Sequence, residues 1–157
     1  MMKNKLKDDN DSLVWHYTAA KPHLDNIIGD KLLKVSYVEK KLGEKATLWF
    51  SKDQMWEPTS IKVPNGLDTY KGTEGLLFQH LFCGIGRIGV KFTDFNFTNW
   101  NEYKKLNTDK FEELTWMENM AEKALAKKEN WFCVYEDIPA NKWEKVQKFD
   151  GQKWCDI

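Results

Sequence analysis

Residues 13–18 are Leu13-Val14-Trp15-His16-Tyr17-Thr18, and almost all of them favour an extended backbone. The run is predicted to be a β-strand, in which side chains alternate between two faces, so that His16 and Thr18 share one face. A second run with the same character, residues 46–51, reads Ala-Thr-Leu-Trp-Phe-Ser and also ends in a small hydroxyl residue. The two strands are predicted to carry polar groups to a common edge of a sheet, where a ligand could sit.

Length and charge restrict the class of protein. A chain of 157 residues predicts one domain, and a chain of this size buries about 70% of its unfolded surface. Residues 1–12 are charged and have little to bury, so we expect a flexible tail followed by a domain over residues 13–157. The 24 basic and 24 acidic residues balance, which gives no reason to expect tight binding to a nucleic-acid backbone. The eight Trp residues supply core volume, platforms for ligand stacking, or both.

The cysteines and the apolar runs indicate the cellular compartment and whether a metal or a membrane is expected as a partner. The three cysteines are odd in number and far apart, and no apolar signal core precedes residue 13, so we expect a reduced, cytoplasmic protein. His80 and Cys83 are the one close pair of metal ligands, and no second pair stands at metal spacing, so no metal is expected. No apolar run approaches the roughly 20 residues that span a bilayer, so no membrane partner is expected.

Hydrophobic periodicity and turn residues predict the remaining elements. Helices are predicted over residues 21–30 and, at the clearest helical spacing in the chain, 108–128. Strands are predicted over 32–37, 76–82, 86–92 and 131–136, and Asp150-Gly151 predicts a hairpin between 145–149 and 152–155. Residues 52–75 are rich in Pro and Gly and predict a long surface connection. The fold class is therefore α+β, a single domain with a mainly antiparallel split sheet, one long helix and one or two short helices.

Candidate site residues lie near the ends of predicted strands. They are His16 and Thr18 on the first strand, Trp49, Phe50 and Ser51 on the second, and Glu136 at the end of a late strand. Glu136 shares a predicted face with Phe132 and Val134, where a carboxylate is costly unless it serves a site or lies beyond the core in water. Both interpretations stay open, as they do for His16, which is either a ligand contact or a partly buried histidine that donates to a backbone carbonyl.

Arg87 is a candidate anion contact, because it lies on the polar face of a strand entered through Gly84 and Gly86. A solvated strand arginine is the alternative. We also expect His16 and Ser51 to open onto the same cleft, with their side chains on the same side of the sheet.

The order of these motifs resembles the ADP-ribosyltransferase superfamily. The resemblance is carried by Trp15-His16-Tyr17-Thr18, a short helix with paired Ile, a strand ending in Leu48-Trp49-Phe50-Ser51, Trp56-Glu57 after it, and a late strand bearing a Glu. It spans most of residues 13–154 and is closest to small bacterial branches that include DNA-ADP-ribosylating toxins and RNA 2'-phosphotransferases.

The resemblance implies roles for individual residues. His16, with Thr18, would contact NAD, and Phe50 or Trp49, with Ser51, would border the nicotinamide. Glu136 would assist ribosyl transfer by stabilising an oxocarbenium-like sugar. The implied function is an NAD-binding ADP-ribosyltransferase-like protein that uses NAD as substrate and transfers ADP-ribose to an unknown acceptor, whether protein, nucleic acid or small molecule. Two alternatives remain open: a non-catalytic protein that sequesters a nucleotide or nucleotide-derived signal, and a protein-interaction module with Trp anchors.

Overall fold

Strand β1 (Leu13–Ala19) lies at the centre of a seven-stranded sheet in which all paired neighbours are antiparallel. The computed structural model describes residues 13–64 and 66–157, without the side chains of Leu67 and Asp68. The strand order is β5-β6-β3-β1-β4-β8-β9. The other members are β3 (Leu48–Ser51), β4 (Ile85–Lys91), β5 (Thr98–Asn99), β6 (Trp131–Val134), β8 (Lys145–Phe149) and β9 (Trp154–Asp156). A small second sheet pairs β2 (Leu32–Leu33) with β7 (Ile138–Pro139).

Six helices connect the described strands. They are α1 (Asp25–Asp30), α2 (Tyr37–Lys41), α3 (Gly66–Thr69), α4 (Glu74–Phe82), α5 (Trp100–Leu106) and α6 (Phe111–Ala124), with short helical turns between them. The prediction of one α+β domain with a mostly antiparallel sheet is confirmed, but the described residues contain more helices than the one long and one or two short ones expected. None of these helices has both the length and the apolar character that crossing a membrane requires.

Helix α6 and the C-terminal hairpin form where the sequence predicts them. Glu112 and Glu113 stand in the first turn of α6 and Lys123 in the last, which suits the helix dipole. The helix ends as Leu125 adopts a left-handed backbone with φ of 58°. Strands β8 and β9 pair from Gln147↔Asp156 to Phe149↔Trp154, as the Asp150-Gly151 turn predicts.

Three predicted segments differ in the structure. Residues 76–82 form most of helix α4 and not a strand, because Gln79 and His80 interrupt the apolar run and leave its apolar residues at helical spacing. Residues 32–37 are a strand only at Leu32–Leu33, since the Ser36 side chain accepts a hydrogen bond from the Glu39 amide and begins α2. Residues 52–75 are more than a surface connection, because Trp56 and Ile61 are buried in the core and Pro58 is buried beside them in sequence. The predicted tail, residues 1–12, lies outside the described residues.

The pairing of β1 is complete on one side and short on the other. Seven residue pairs join it to β4, from Leu13↔Lys91 to Ala19↔Ile85, whereas Trp15↔Ser51 is the one described pair that joins it to β3. Directly paired residues of antiparallel strands have side chains on the same face. Ser51 therefore shares a face with Trp15 and Tyr17, and the sheet parts between β1 and β3 beyond that pair.

Core packing covers both faces of the sheet. One cluster, on the face of Val14, contains Leu24, Phe50, Ile88 and Val90. On the other face Trp15, Tyr17, Trp56, Ile61 and Leu76 form a second cluster, and α5 and α6 pack on Trp131 and Cys133 to form a third. The candidate site lies on this second face, between the two clusters.

Candidate functional site

A cavity of about 310 Å³ lies over the junction of β1 and β3. This volume is near the lower end of the range, about 300–1,000 Å³, that is common for small-molecule sites. The cavity is bordered by three consecutive residues of each strand, by the segment that follows β3, by α6 and by the start of β6. These residues are Trp15, His16, Tyr17, Trp49, Phe50, Ser51, Glu57, Thr59, Ser60, Lys62, Trp116, Met117, Met120 and Trp131.

Six of the fourteen residues that border the cavity are Trp, Tyr or Phe. Trp15 and Trp131 are almost fully buried, and Trp49 is held by the Tyr103 ring, with 4.9 Å between ring centroids. Trp116 of α6 is 57% exposed and forms part of the rim. Rings that are fixed by packing offer flat surfaces to a planar ligand at little entropic cost.

Glu57 places a carboxylate in this apolar surround. Its side chain is 5% exposed and accepts three hydrogen bonds: from Ser51 Oγ at 2.9 Å, from Thr59 Oγ1 at 2.6 Å and from the Thr59 amide at 3.3 Å. Ser51 Oγ also accepts from the Asp53 amide at 3.1 Å, so the segment after β3 is tied back to the strand end. A buried carboxylate is tolerated only with such compensation. The three donors hold Glu57 in one orientation at the cavity.

His16 fills the place where the β1–β3 ladder stops. Its Nδ1 lies 2.8 Å from the Trp49 carbonyl oxygen, and its ring stands edge-on to Phe50 at 5.8 Å. A carbonyl oxygen can only accept, so Nδ1 carries the proton and Nε2 is left as an acceptor when the ring is neutral. Burial lowers the pKa of His16, with a smaller lowering from the charge of Lys62, which favours that neutral form. The contact with the Trp49 carbonyl is the one expected of His16 as a partly buried histidine that donates to a backbone carbonyl.

The predicted first- and second-strand residues are only partly brought together. His16, Trp49, Phe50 and Ser51 border the cavity, whereas Thr18 does not; it is buried opposite Gly86 of β4. The expectation that His16 and Ser51 point to the same side of the sheet is wrong. Because Ser51 is paired with Trp15, the alternation along β1 directs the neighbouring His16 to the opposite face. Both residues border the cavity because it lies where the two strands part.

Glu136 lies away from this cavity. Strand β6 ends at Val134, and Glu136 is an exposed residue in the bend that follows. Trp131, at the other end of β6, is the part of that strand that borders the cavity. The length of β6 thus separates Glu136 from the cavity wall. Its carboxylate lies in water beyond the core, which was the second of the two interpretations left open by the sequence.

Glu57 is the site residue that sequence reasoning missed. It stands between Trp56 and Pro58 in the segment interpreted as a surface connection. A signal was present, since a lone acidic residue directly after Trp, close behind an apolar strand, is well placed to be covered when the Trp is buried. Trp56 is 2% exposed, and the neighbouring Glu57 is buried with it at 5% exposed.

Arg87 is neither solvated nor at the cavity. Its side chain is buried between the rings of Trp15 and Trp154, with the guanidinium carbon 3.7 Å and 4.2 Å from the two centroids. Nε donates to Gln147 Oε1 at 2.8 Å, and Nη1 donates to the Tyr17 hydroxyl at 3.2 Å. Burial lowers the pKa of Arg87 and raises that of Tyr17. Arg87 therefore contacts two residues that border the cavity, Trp15 and Tyr17, without bordering it itself.

No metal centre is formed by the part of the chain that the structure describes, since no three His, Cys, Asp or Glu side chains in it are grouped to hold an ion. Cys133 is fully buried in the core cluster under α5 and α6, and this burial raises the pKa of its thiol to about 12. Comparison with known proteins found no matching family model, no matching curated protein and no matching solved structure.

Proposed function

We propose that this chain binds NAD or a related nucleotide in the cavity and transfers ADP-ribose from it to an acceptor. The observation that carries the proposal is the buried Glu57 carboxylate, held by Ser51 and Thr59 among the aromatic rings of the cavity. A fixed carboxylate in an apolar pocket is a feature of sites that stabilise developing positive charge. Glu57 takes the role that the resemblance alone assigned to Glu136.

The size of the cavity bears on which part of the ligand it holds. A volume of about 310 Å³ suits a nucleoside-sized group and not a complete dinucleotide. The nicotinamide and its ribose would enter, with the flat ring against Trp49 or Trp131. The diphosphate would then remain at the mouth.

Lys62 supports this orientation of the ligand. Its side chain is exposed at the rim, and none of the ion pairs found among residues 13–64 and 66–157 involves it. An ammonium without a carboxylate partner attracts the phosphate oxygens of a nucleotide. Lys62 also borders the cavity directly, so its charge lies where the diphosphate would be.

The reaction would follow from these positions. The bond between the nicotinamide nitrogen and ribose C1' breaks, nicotinamide leaves with the bonding electron pair, and the sugar develops oxocarbenium character. The Glu57 carboxylate would stabilise that charge. An acceptor oxygen or nitrogen then bonds to C1' and releases its proton to solvent, while the aromatic walls limit competing attack by water.

The test measures NAD affinity by titration calorimetry and nicotinamide release on the same preparations, with cell extract as the source of acceptor. Glu57→Gln is the site variant and Glu136→Gln is the matched control, an identical change at an exposed position. We expect Glu57→Gln to keep NAD affinity within a few fold while nicotinamide release falls by about 100-fold or more. Glu136→Gln should match wild type in both. An absence of heat with NAD for the folded wild-type protein would end the proposal.

The hydrogen bonds that Glu57 already accepts favour a second candidate function, in which the protein binds the nucleotide without turning it over. A carboxylate has about four acceptor positions, and three of those on Glu57 already receive hydrogen bonds from Ser51 and Thr59. One position is left for a ribose hydroxyl. NAD binding that weakens in Glu57→Gln, without nicotinamide release by the wild type, would identify this sequestering function.

A further inference from the structure

Helix α4 exposes a continuous apolar stripe. Leu77 and Phe78 are each 49% exposed, Leu81 is 72% exposed and Phe82 is 62% exposed. These positions have the spacing i, i+1, i+4, i+5, which places them on one side of two helical turns. The other side of the helix is buried on the domain through Leu76 and Gln79. We call the stripe of Leu77, Phe78, Leu81 and Phe82 the α4 patch.

The α4 patch is held in place by its neighbours. The Tyr70 ring stacks on Phe78 with 4.4 Å between centroids and 27° between planes. Gln79 on the inner side accepts a hydrogen bond from the Lys62 amide, which anchors the helix to the segment after β3. A surface that is ordered before binding loses less entropy on association.

The exposed apolar area of the α4 patch can be compared with that of known patches and interfaces. With aromatic side chains of about 200 Å², and leucines slightly smaller, the stated exposures leave on the order of 400 Å² of apolar surface. The largest apolar patches on monomers have about this size and are often functional. Two such patches face to face would remove about 800 Å² from water, below the roughly 1,000 Å² of a stable specific interface and in the range of weak, transient ones.

From this area and chemistry we infer that the α4 patch is the interface of a homodimer, weak and concentration-dependent, formed by two antiparallel copies of α4. An interface between identical copies must be self-complementary, and four uncharged apolar side chains meet that requirement without any pairing of opposite charges. The antiparallel arrangement also sets the two helix dipoles in opposite directions. A membrane surface fits less well, because helices that lie on membranes have basic polar faces and α4 contains neither Lys nor Arg.

None of the four patch residues borders the cavity. The inference is therefore independent of the proposed function. Loss of the dimer should leave NAD affinity unchanged, and a failure to bind NAD would not affect the dimer.

Sedimentation equilibrium of the full chain, over low to high micromolar concentrations, tests the inference. The average mass of the wild type should rise with concentration towards twice the monomer mass. Leu81→Glu should weaken the dimer by about 100-fold or more and sediment as a monomer, because pairing would bury an uncompensated carboxylate. Leu106→Glu is the matched control, a leucine of α5 that is 68% exposed, and it should dimerise like the wild type.

Circular dichroism of the three proteins establishes that each is folded. A wild type that remains monomeric at every concentration would overturn the inference, and so would a Leu81→Glu variant that dimerises like the wild type. Flotation of the wild type with phosphatidylcholine or phosphatidylserine vesicles, lost in Leu81→Glu, would assign the patch to a membrane surface instead.

Discussion

Replacing Arg87 by Met should destabilise the domain, because the guanidinium joins parts of the chain that are far apart in sequence. It lies between the rings of Trp15 on β1 and Trp154 on β9. It also donates to Gln147 on β8, to the hydroxyl of Tyr17 and to the carbonyl of Gln54 in the segment after β3. Methionine retains much of the stem volume but supplies none of these donors.

The expected loss of stability follows from two contributions that Arg87 makes to the fold and one that opposes them. Hydrogen bonds from a charged donor contribute about 1.5–3 kcal/mol each, and a desolvated cation–π contact contributes up to about 2 kcal/mol. Removing the cation also relieves its desolvation, since none of the ion pairs within the described residues involves Arg87. We expect a net loss of about 2–4 kcal/mol, or a Tm lower by about 5–15 °C for a domain of this size.

Urea unfolding followed by the fluorescence of the eight Trp residues measures this loss of stability. Arg87→Lys is the informative companion, because it keeps the charge but lacks the planar fork that reaches several acceptors at once. It should lose at least half as much free energy of unfolding as the Met variant. A loss below about 0.5 kcal/mol in Arg87→Met would show that desolvation of the guanidinium cancels its contacts and would refute the reasoning.

Two further predictions concern the sheet around the site. Burial lowers the pKa of His16, so below about pH 6.5 the unfolded chain binds a proton that the folded chain does not. The contribution of neutral His16 to the free energy of unfolding is therefore complete above about pH 6.5 and is lost as the pH falls from there towards the lower pKa of the folded state. The free energy of unfolding should fall by up to about 1.4 kcal/mol per pH unit in that window, and His16→Asn should reduce the slope; an unchanged slope would contradict the assignment. Gly86→Ala should cost about 1–3 kcal/mol, since the added Cβ would overlap Leu24 Cδ2. Gly29→Ala, which meets nothing within 4 Å, is its control, and equal stability of the two variants would contradict the packing argument.

Local side-chain patterns were sufficient for the elements whose signal lies within a few residues. The strand formers of residues 13–18 predict β1, the helical spacing from Phe111 to Ala124 predicts α6, and Asp150-Gly151 predicts the final hairpin. The α+β class follows from these elements. The contact of His16 with a backbone carbonyl was also among the alternatives that the sequence suggested.

Tertiary contacts decided where these elements meet and which groups border the cavity. The register Trp15↔Ser51 sets His16 and Ser51 on opposite faces, and a shift of one residue would reverse that relation. Burial of Trp56 brings Glu57 to the cavity, whereas the end of β6 at Val134 leaves Glu136 in water. The spacing of apolar side chains indicates whether a segment is a helix or a strand, because that choice depends on neighbouring residues. Register and the position of a folded-back segment depend on contacts between residues that are distant in sequence, and only the packed structure supplies those.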